Sequence, residues 1–419
     1  MLDILNIKMK VLIIGNGGRE HAIGIKLKQD NASVELFFAK GNGGTENIGI
    51  NINLSLVSEL LQFALSNKID VTIVGSEALL VEGIVDVFEQ NNLQIFGPNK
   101  TAAMLEGDKA FAKIFMNKYG VRTALHKAFY SFDDAIKYVV NQSFPIVIKA
   151  TGLAGGKGVF IAQNFEEAQQ NIQQILVNRI FGDAGNEIVI EEFLQGFEVS
   201  VLSIFNKKNI FPLISAKDHK KIFDNDKGAN TGGMGAIAPN PLYTKNIEKD
   251  FNENILEPTL KGLLAEGLTF AGIIFFGLMV INNECYLLEY NLRMGDPETQ
   301  AILPLLNSNF IDIVSNAIAE KNIFLDWKNE HSCCVVLASN GYPNKYEVNK
   351  KIDGIESYDE QVVIAGANKI NNKYYTSGGR VLNIIATATT LEIAKTKAYQ
   401  TIDNINFEGK YWRTDIGKI

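Results

Sequence analysis

The sequence predicts an α/β protein of several domains, and its N-terminal part is predicted to be a doubly wound parallel sheet. Short apolar runs at residues 9–15, 34–39, 70–75 and 93–97 are separated by segments of helix length. Strands that alternate with helices form parallel sheets with helices on both faces. The chain of 419 residues is too long for one typical hydrophobic core, so we expect roughly two to four domains.

The rest of the chain predicts a second α/β unit and a small mixed α/β unit at the C-terminus. Residues 101–119 are typical of one linking helix, and we place the first domain boundary near Gly107. Strands are predicted at 145–150, 159–162 and 187–194. The last unit begins near Lys328, with strands predicted at 332–338, 361–365 and 379–386 and a helix at 391–404.

Composition and charge exclude several classes of function. The net charge of -7 argues against a surface dedicated to nucleic acid. The longest apolar run, residues 271–281, is shorter than the roughly 18 residues of a membrane span, and residues 1–8 do not resemble a signal peptide. Three cysteines without metal-binding spacing are typical of buried thiols in a reducing cytosol, and four scattered histidines indicate neither a metal cluster nor a catalytic triad.

A glycine turn follows the first predicted strand. Gly17 and Gly18 would let the backbone approach an anion at the N-terminus of the next helix. Glu20 stands where the third glycine of a dinucleotide fingerprint should be, so a phosphate site is favoured over a nicotinamide cofactor. A tight turn that needs glycine for steric reasons alone is the alternative. Loops at 41–45 and 75–77 leave the same edge of the sheet and are either ligand loops or ordinary turns.

A glycine-rich loop, residues 151–158 (TGLAGGKG), joins two predicted strands. A P-loop would need a following helix and one more residue of spacing. The pattern instead predicts a mobile hairpin that covers nucleotide phosphates, with Lys149 and Lys157 as its charges. A solvated, flexible hairpin is the alternative.

The polar stretch at residues 288–298 (LEYNLRMGDPE) is the centre of the predicted site. It follows a predicted hairpin, and we place it on an inner strand. Alternation puts Glu289, Asn291 and Arg293 on one face. A carboxylate and an amide oxygen suit Mg²⁺, and a guanidinium suits a carboxylate or phosphate. The alternative is a polar edge strand that leads into an Asp-Pro turn.

Two further segments carry candidate ligand groups. The strand at 187–194 ends in paired acids, so the backbone of 192–194 could face an adenine edge and Glu198 could accept ribose hydroxyls; a solvated strand end is the alternative. The segment 216–221 and the loop 230–235 are typical either of a loop that closes on a ligand or of a plain linker.

Five strings in order resemble the glycinamide ribonucleotide synthetases of the ATP-grasp superfamily, from about Met9 to the C-terminus. These strings are GNGGREH at 15–21, LEGDKAF at 105–111, NTGGMG at 230–235, RMGDPE at 293–298 and GGRV at 378–381. Five positions differ from the family's usual residues, and none of them removes a proposed metal ligand or phosphate-binding lysine. These positions are Ser76, Thr151, Gly155, Ala229 and Met294.

The resemblance implies a fold and a reaction. The implied domains are a Rossmann-like pre-ATP-grasp domain at 1–107, an ATP-grasp domain at 108–327 with a mobile lid at about 123–195, and a C-terminal domain at 328–419. The implied reaction joins glycine to 5-phosphoribosylamine with ATP, through glycyl phosphate, in purine biosynthesis. ATP would be the co-substrate, with Mg²⁺ or Mn²⁺. The resemblance further implies a cytoplasmic monomer whose partners are small molecules, with no nucleic acid and no membrane.

The resemblance also implies roles for individual residues. Glu289 and Asn291 would bind the metal, and Arg293, Asp218 and Lys149 would be catalytic. The nucleotide would be held by Lys109, Lys149, Gly152, Gly155, Gly156, Lys157, Gly158, Glu191, Glu192, Phe193, Leu194 and Glu198. Glycine and the sugar phosphate would be held by Gly17, Gly18, Arg19, Glu20, Asn42, Glu77, Asp218, Gly232, Gly233, Arg293, Asp296, Pro297 and Glu298.

Three other functions remain open at this point. One is another ATP-grasp ligase that joins a different carboxylate and amine. The second is a regulator that binds nucleotide without turnover. The third is a dehydrogenase, which Glu20 disfavours.

Overall fold

The computed structural model describes residues 8–357 and 361–418. Residues 1–7, within the stretch predicted not to be a signal peptide, lie outside these ranges. No helix among the described residues is long and apolar enough to cross a membrane.

A five-stranded parallel sheet forms the N-terminal part, as predicted, in the order β3-β2-β1-β4-β5. The first strand is a continuous apolar run because helices cover both faces of the sheet, and Val11 to Ile13 are fully buried. The short strand β3 was not predicted. The strands are β1 (Lys10–Gly15), β2 (Glu35–Lys40), β3 (Ile50–Ile52), β4 (Val71–Val74) and β5 (Ile95–Phe96). The helices are α1 (Gly18–Asp30), α2 (Val57–Asn67), α3 (Glu77–Glu82) and α4 (Ile84–Gln90).

The linking segment contains two helices, α5 (Lys100–Gly107) and α6 (Lys109–Tyr119), so the prediction of one continuous helix is wrong. Asp108 between them has an extended backbone, and its carboxylate accepts hydrogen bonds from the amides of Ala110 and Phe111. This side chain satisfies amides at the start of α6 that have no partner within the helix. The break therefore allows the chain to change direction where Lys109 enters the site.

The glycine-rich unit is a four-stranded antiparallel sheet in the order β6-β9-β7-β8. The predicted hairpin is present, since Ile146 to Lys149 pair with Val159 to Ala162 in antiparallel register. Two helices pack on the sheet. The elements are β6 (His126–Phe129), α7 (Phe132–Val139), β7 (Ile146–Ala150), β8 (Val159–Ala162), α8 (Phe165–Ile172) and β9 (Ile188–Glu192).

A second antiparallel sheet, in the order β11-β10-β16-β17, forms the centre of the molecule. Its elements and those that follow it are β10 (Phe197–Asn206), β11 (Ile210–Pro212), β12 (Lys217–Asp218), β13 (Lys221–Phe223), β14 (Lys227–Asn230), β15 (Gly235–Ala238), α9 (Lys245–Phe251), α10 (Glu257–Ala265), β16 (Ala271–Ile281), β17 (Glu284–Asn291), α11 (Glu298–Ile302) and α12 (Phe310–Ile318).

The predicted hairpin of β16 and β17 is confirmed, and Asn282 and Asn283 make its turn with positive φ values of 50 and 69°. Such φ values are those of two-residue hairpin turns that match the twist of the strands. The prediction that the polar stretch lies on an inner strand is wrong, because β17 is the edge strand of this sheet. The polar face of this strand lines the cavity described below.

The C-terminal part has a sheet in the order β12-β15-β18-β23-β20, with β24 paired to β18, and a three-stranded sheet in the order β19-β22-β21. The strands β12 and β15 come from the central segment, so the C-terminal sheet is completed by residues that lie far before it in the sequence. The elements are β18 (His331–Ser339), β19 (Lys351–Ile352), β20 (Val362–Ile364), β21 (Ala367–Ile370), β22 (Lys373–Thr376), β23 (Arg380–Ala388), α13 (Leu391–Asn404) and β24 (Lys410–Tyr411). The predicted helix at 391–404 is confirmed.

Candidate functional site

A cavity of about 730 Å³ lies where the carboxyl end of the N-terminal sheet faces the glycine hairpin, strand β17 and the segment around residue 218. Open α/β sheets bind ligands at this edge. The predicted site residues that line the cavity are Gly17, Arg19, Glu20, Glu77, Lys109, Gly155, Gly156, Gly158, Glu191, Asp218, Gly232, Glu289, Asn291, Arg293, Asp296 and Glu298. The structure thus brings together residues from all five of the sequence strings.

Strand β17 presents Glu289 and Asn291 to the cavity, as its alternation predicts. Tyr290 between them is buried on the other side and shares a hydrogen bond of 2.7 Å with Thr259. Burial opposes ionisation of Glu289, but Lys220, Lys109 and other nearby cations lower its pKa overall. Glu289 is therefore an anion in the cavity wall.

The donor set of β17 fits a hard divalent cation. A carboxylate and an amide oxygen lie on alternate residues of the same face, and Asn291 Oδ1 accepts a hydrogen bond of 3.3 Å from Arg293. Within residues 8–357 and 361–418, no group of three or more His, Cys, Asp or Glu side chains could hold a metal ion. Mg²⁺ commonly uses only one or two protein oxygens together with substrate phosphates, so a two-residue donor set suits it.

Lys149 is held by a buried ion-pair chain. Its ammonium lies 2.9 Å from Glu191, and Lys113 lies 3.2 Å from the other oxygen of the same carboxylate. Lys149 also donates a hydrogen bond to the carbonyl of Leu288 at 3.3 Å, which links it to β17. Burial opposes ionisation of Glu191, but Lys149 and Lys113 lower its pKa overall. The sequence predicts no role for Lys113, because its partner is 78 positions away.

The hairpin glycines differ in their surroundings. Gly155 and Gly156 have positive φ values of 57 and 76°, and a Cβ at either position would meet nothing within 4 Å. Gly152 is packed, because a Cβ there would lie 2.6 Å from Ala184. Lys157 is on the same loop but outside the cavity wall. The tip of the hairpin therefore borders open space beside the cavity.

The residues predicted to hold adenosine are spread more widely. Glu192 accepts a hydrogen bond of 2.8 Å from the amide of Leu125. Phe193 is partly exposed, and Glu198 forms an ion pair of 2.8 Å with Lys220. Neither these residues nor Leu194 belongs to the cavity wall in this conformation. Their predicted role in nucleotide binding stays a prediction.

Arg293 lies between two carboxylates. Its Nη2 atom is 3.0 Å from Glu106, and its Nε atom is 3.7 Å from Glu77. Among the described residues this buried Nε has no hydrogen-bond partner. Glu106 also accepts the amide of Leu292 at 2.6 Å, so it fixes both the backbone and the side chain of this segment. The sequence string at 105–111 contained Glu106, but its contact with residue 293 could not be deduced from spacing.

Arg19 and Glu20 form the wall on the side of the N-terminal sheet. Glu20 is buried, accepts the amide of Gly17 at 2.7 Å and pairs with Arg19 at 2.6 Å. Arg19 also reaches Glu77 at 3.2 Å, and its amide donates to Asp296 at 3.1 Å. Glu20 therefore caps the start of α1 and anchors Arg19.

Asp218 and Glu298 are two buried carboxyl groups on the opposite wall. Burial raises the pKa of each, and the charge of Glu298 raises that of Asp218 further. Glu298 accepts a hydrogen bond of 3.0 Å from Ser200. Within the part of the chain that the structure describes, Asp218 Oδ1 is buried without a partner. The pair can accept hydrogen bonds from a cation.

Arg380 ties the loop at 230–235 to the Asp-Pro turn. It donates to the carbonyl of Gly232 at 2.6 Å and to that of Asp296 at 2.8 Å, and it lies 3.2 Å from the Asp296 carboxylate. Gly233 has a φ of +110°, and a Cβ there would lie 2.4 Å from Pro297, which packs against it outside the cavity wall. Arg380 belongs to the string at 378–381, but the sequence analysis predicts no role for it. An arginine after two glycines was the only sequence signal for it.

Asn42 and Gly18 serve the contact with the C-terminal part. The side-chain Nδ2 of Asn42 donates a hydrogen bond of 2.9 Å to the carbonyl of Ile364. Its Oδ1 accepts one of 2.9 Å from the backbone amide of Gly44. A Cβ at Gly18 would lie 2.6 Å from the amide nitrogens of Asn383 and Gln300. Both residues lie beside the cavity wall and not in it, and their predicted contact with the sugar phosphate stays a prediction.

The fold and the cavity define an ATP-grasp protein, with a glycine hairpin facing a sheet that carries the predicted cation ligands. Three regions match the phosphoribosylglycinamide synthetase family, as its N domain at residues 9–106, its ATP-grasp (A) domain at 107–299 and its C domain at 332–419. The chain belongs to this family. The predicted family, the fold of three such domains and the use of ATP by a ligase are confirmed.

Several known proteins are similar along the whole chain. Phosphoribosylamine–glycine ligase of Fusobacterium nucleatum is 54% identical over 98% of this chain and 99% of its own. The crystal structure of phosphoribosylamine–glycine ligase from Thermotoga maritima has a TM-score of 0.86 at 33% identity, over 98% of this chain and 100% of its own.

The biotin carboxylase domain of the Hydrogenobacter thermophilus 2-oxoglutarate carboxylase, in complex with MgADP, has a TM-score of 0.72 at 16% identity, over 96% of this chain and 91% of its own. At this identity the likeness shows the fold alone.

Proposed function

We infer that the central cavity joins glycine to 5-phosphoribosylamine in two steps, through glycyl phosphate. The overall activity is that of the family: the protein is an ATP-dependent phosphoribosylamine–glycine ligase of purine biosynthesis. A glycine carboxylate is a poor electrophile, because its oxygen is a poor leaving group. In the first step a carboxylate oxygen attacks the γ-phosphorus of ATP, and the bond to the bridging oxygen breaks to release ADP. In the second step the amine attacks the acyl carbon, phosphate leaves and the nitrogen loses a proton.

The lysines and the hairpin would hold ATP. Lys109 lines the cavity, and burial lowers its pKa while Glu289 opposes that shift. Lys149 lies outside the cavity wall, but its charge lowers the pKa of Glu289. Their ammonium groups would neutralise the transferring phosphoryl group, which is the main task in phosphoryl transfer. Gly155, Gly156 and Gly158 line the cavity and would cover the phosphates with backbone amides. Lys157 would reach the phosphates when the hairpin closes.

Glu289 and Asn291 would hold Mg²⁺ or Mn²⁺. Such an ion, when bound, neutralises charge on the transferring phosphoryl group. The two protein oxygens leave most coordination positions for phosphates and water. Arg293, which bonds Asn291, would keep the amide oxygen oriented toward the same volume.

Arg293 and the carboxyl pair would bind glycine from its two ends. The free Nε of Arg293 can donate to the glycine carboxylate. Asp218 and Glu298 can accept hydrogen bonds from the ammonium group, whose positive charge would lower their pKa values and so oppose the effect of burial. Gly232 lines the cavity beside Asp218, and a Cβ on Gly233 would lie 2.7 Å from Asp218 Oδ1, so glycine at position 233 leaves the Asp218 carboxyl group unobstructed.

The sugar phosphate would bind at the first glycine turn. Arg19 with the amides after Gly17 offers donors to a phosphate, and Glu77 and Asp296 offer acceptors to hydroxyls. This wall faces Arg293, so the amine would approach the activated carboxyl group. A neutral amine needs no strong general base for the attack. We also propose that the protein acts in the cytoplasm as a monomer, on small molecules only.

One observation supports the proposal: the same cavity is lined by the carboxylate–amide pair Glu289 and Asn291, by Arg293 and by Asp218. Among the described residues, Arg293 Nε and Asp218 Oδ1 are buried without a hydrogen-bond partner. The test is positional isotope exchange in ATP with glycine present and phosphoribosylamine absent. We expect exchange only with glycine, because glycyl phosphate and ADP form reversibly. Exchange without glycine, or none with it while full turnover proceeds, would contradict the intermediate.

A substitution tests the glycine site in the same preparation. Arg293→Ala is expected to raise the KM for glycine by about tenfold more than the KM for ATP. Arg179→Ala is the control, because Arg179 lies in the glycine-rich unit, where its side chain donates hydrogen bonds to the carbonyl of Leu176 and to the side chain of Asn186. Equal increases in both KM values would count against the assignment.

A further inference from the structure

The C-terminal segment, residues 411–417, contacts the segment that carries Asp218 and Lys220. Both of these residues line the cavity, and Lys220 pairs with Glu198. The hairpin of β13 and β14 follows directly, and its tip contains Asp224, Asn225 and Asp226. The chain thus leaves the cavity wall for the surface and returns at the loop 230–235.

Arg413 is the centre of this contact. Its side chain is only 1% exposed, although its partner Asp226 is 65% exposed. The guanidinium donates to the carbonyl of Lys221 at 3.0 Å and to Asp226 at 2.8 Å. It also makes a two-pronged pair with Asp415, at 2.8 and 2.9 Å. Two-pronged pairs fix orientation as well as distance.

The backbone around Arg413 extends the contact along the whole hairpin. The amide of Asn225 donates to Asp415 at 2.7 Å, and the amide of Thr414 donates to Asp224 at 2.9 Å. The hydroxyl of Tyr411 donates to the carbonyl of Ile222 at 2.9 Å. The C-terminal segment therefore supports the hairpin at both its base and its tip.

His219 makes a second contact, between the two cavity residues. It is buried, and its Nε2 atom accepts the amide of Gly417 at 3.2 Å. That contact requires Nε2 to be unprotonated, so Nδ1 carries the proton and donates to the carbonyl of Gly235 at 3.2 Å. Burial keeps this imidazole neutral by lowering its pKa to about 4. Its neighbours on either side, Asp218 and Lys220, then point to the cavity.

The C-terminal segment is itself held on its own domain. Tyr399 of α13 accepts the amide of Ile416 at 3.0 Å and donates to the carbonyl of Arg413 at 2.9 Å. Lys410 donates to the carbonyls of Ile402 and Ile405 at the end of α13. Lys410 thus anchors the segment without touching the β13–β14 hairpin.

We propose that Arg413 and His219 are positioning residues for the ligase reaction, which hold Asp218 at the glycine end of the cavity. This inference rests on the proposed role of Asp218 in glycine binding. Small displacements of a substrate-orienting group cost large factors in rate. Loss of the support should therefore weaken glycine binding, and leave ATP binding at the other wall nearly unchanged.

The test is steady-state kinetics of Arg413→Met, Arg413→Lys and the control Lys410→Ala, each with its thermal midpoint. Arg413→Met is expected to raise the KM for glycine by about tenfold and to change the KM for ATP by less than about twofold. Arg413→Lys should raise the KM for glycine by less than Arg413→Met, because lysine keeps the positive charge but lacks the two-pronged guanidinium. Lys410→Ala should lower the thermal midpoint and leave both KM values unchanged.

Two comparisons make the outcome decisive. If Arg413→Met leaves the KM for glycine unchanged, or Lys410→Ala raises it equally, the positioning role is overturned. Asp218→Asn, measured in parallel, separates the two ideas: an unchanged KM for glycine there overturns the role of Asp218 itself. Should Arg413→Met fail to fold, Asp226→Asn removes one exposed partner and must still raise the KM for glycine, by about threefold; no rise would overturn the proposal.

Discussion

Two glycine-rich turns face each other across the cavity, and their glycines serve opposite purposes. At the tip of the hairpin, a Cβ on Gly155 or Gly156 would meet nothing within 4 Å. At the first turn, a Cβ on Gly15 would lie 2.6 Å from the side chain of Glu20, and one on Gly75, which follows the neighbouring strand β4, would lie 1.9 Å from it. The hairpin glycines leave space open beside the cavity, whereas the first turn is filled by a buried carboxylate.

This difference changes the interpretation of the first turn. From the sequence alone, its glycines either let the backbone approach a ligand phosphate or are required for steric reasons alone. Glu20 occupies the space beside Gly15 and Gly75, and its carboxylate binds the amide of Gly17 and the guanidinium of Arg19. The glycines at 15 and 75 therefore make room for Glu20, and Arg19 is the group of this turn that we propose for contact with the substrate.

The largest effect is expected for Gly75→Ala. The new methyl group would overlap Glu20 Oε1, and overpacking of this kind costs about 3 kcal/mol of unfolding free energy. Chemical denaturation measures the loss. The double variant Gly75→Ala/Glu20→Ala should be more stable than Gly75→Ala alone, because the methyl group then has room. A double variant that is as unstable as the sum of both single changes would show that Glu20 does not set this requirement.

The second largest effect is expected in the pH dependence of stability. It comes from His21, another buried side chain for which a neighbouring glycine leaves room. A Cβ at Gly44 would lie 2.3 Å from the ring of His21. Burial lowers the pKa of His21 to about 4, and its Nδ1 atom accepts the amide of Ile364 at 2.9 Å. The folded state thus binds the proton less readily than the unfolded chain, so His21 contributes full stability above about pH 6.5 and loses it as the pH falls toward 4.

The variant His21→Asn isolates this contribution. The difference in unfolding free energy between the wild type and the variant should shrink by roughly 2 kcal/mol between pH 7.5 and pH 5. Denaturant titrations at both pH values measure it. A difference that stays constant over this range would mean that His21 is not held neutral in the folded protein.

Local signals in the sequence predicted the elements, and contacts between distant residues decided the site. The hairpin turns at 151–158 and 282–283, and the alternation of Glu289 with Tyr290, follow from neighbouring residues, so they could be predicted. Asp108, an acid directly after Gly107, is also a local signal for the break between α5 and α6, although the sequence analysis predicts one continuous helix there. The edge position of β17 and the joining of β15 to β18 depend on pairing across the chain, and no spacing reveals that.

The same distinction explains the residues that were missed. Glu106 meets Arg293, and Lys113 meets Glu191, only after distant parts of the chain pack together. Arg380 reaches the 232–233 loop from the C-terminal sheet. Each is a charged residue whose partner is remote in sequence. Resemblance to a family indicated where the cavity residues lie, but burial and distance were needed to show which of them hold one another.

A smaller effect is expected for Gly156→Ala in the hairpin. There is room for the methyl group, but φ is +76°, so the cost is the backbone strain of about 1 kcal/mol for an L-residue. Stability should fall by about that amount, and the KM for ATP should rise more than the KM for glycine, because the tip closes less readily. The matched change Gly120→Ala, at a φ of +74° with equal room but outside the cavity wall, should cost similar stability and leave both KM values unchanged.

The smallest effect on stability is expected for Lys157→Ala. Lys157 lies in the loop at the tip of the hairpin, outside the cavity wall, and such surface substitutions change the unfolding free energy by about 0.5 kcal/mol or less. Its proposed role begins only when the hairpin covers ATP, so the KM for ATP should rise severalfold while the thermal midpoint stays constant. Lys127→Ala, on β6 of the same unit, is the control that should change neither quantity. An unchanged KM for ATP in Lys157→Ala would show that this lysine does not contact the phosphates at the hairpin tip. The two turns would then differ in their packing but not in their contact with nucleotide.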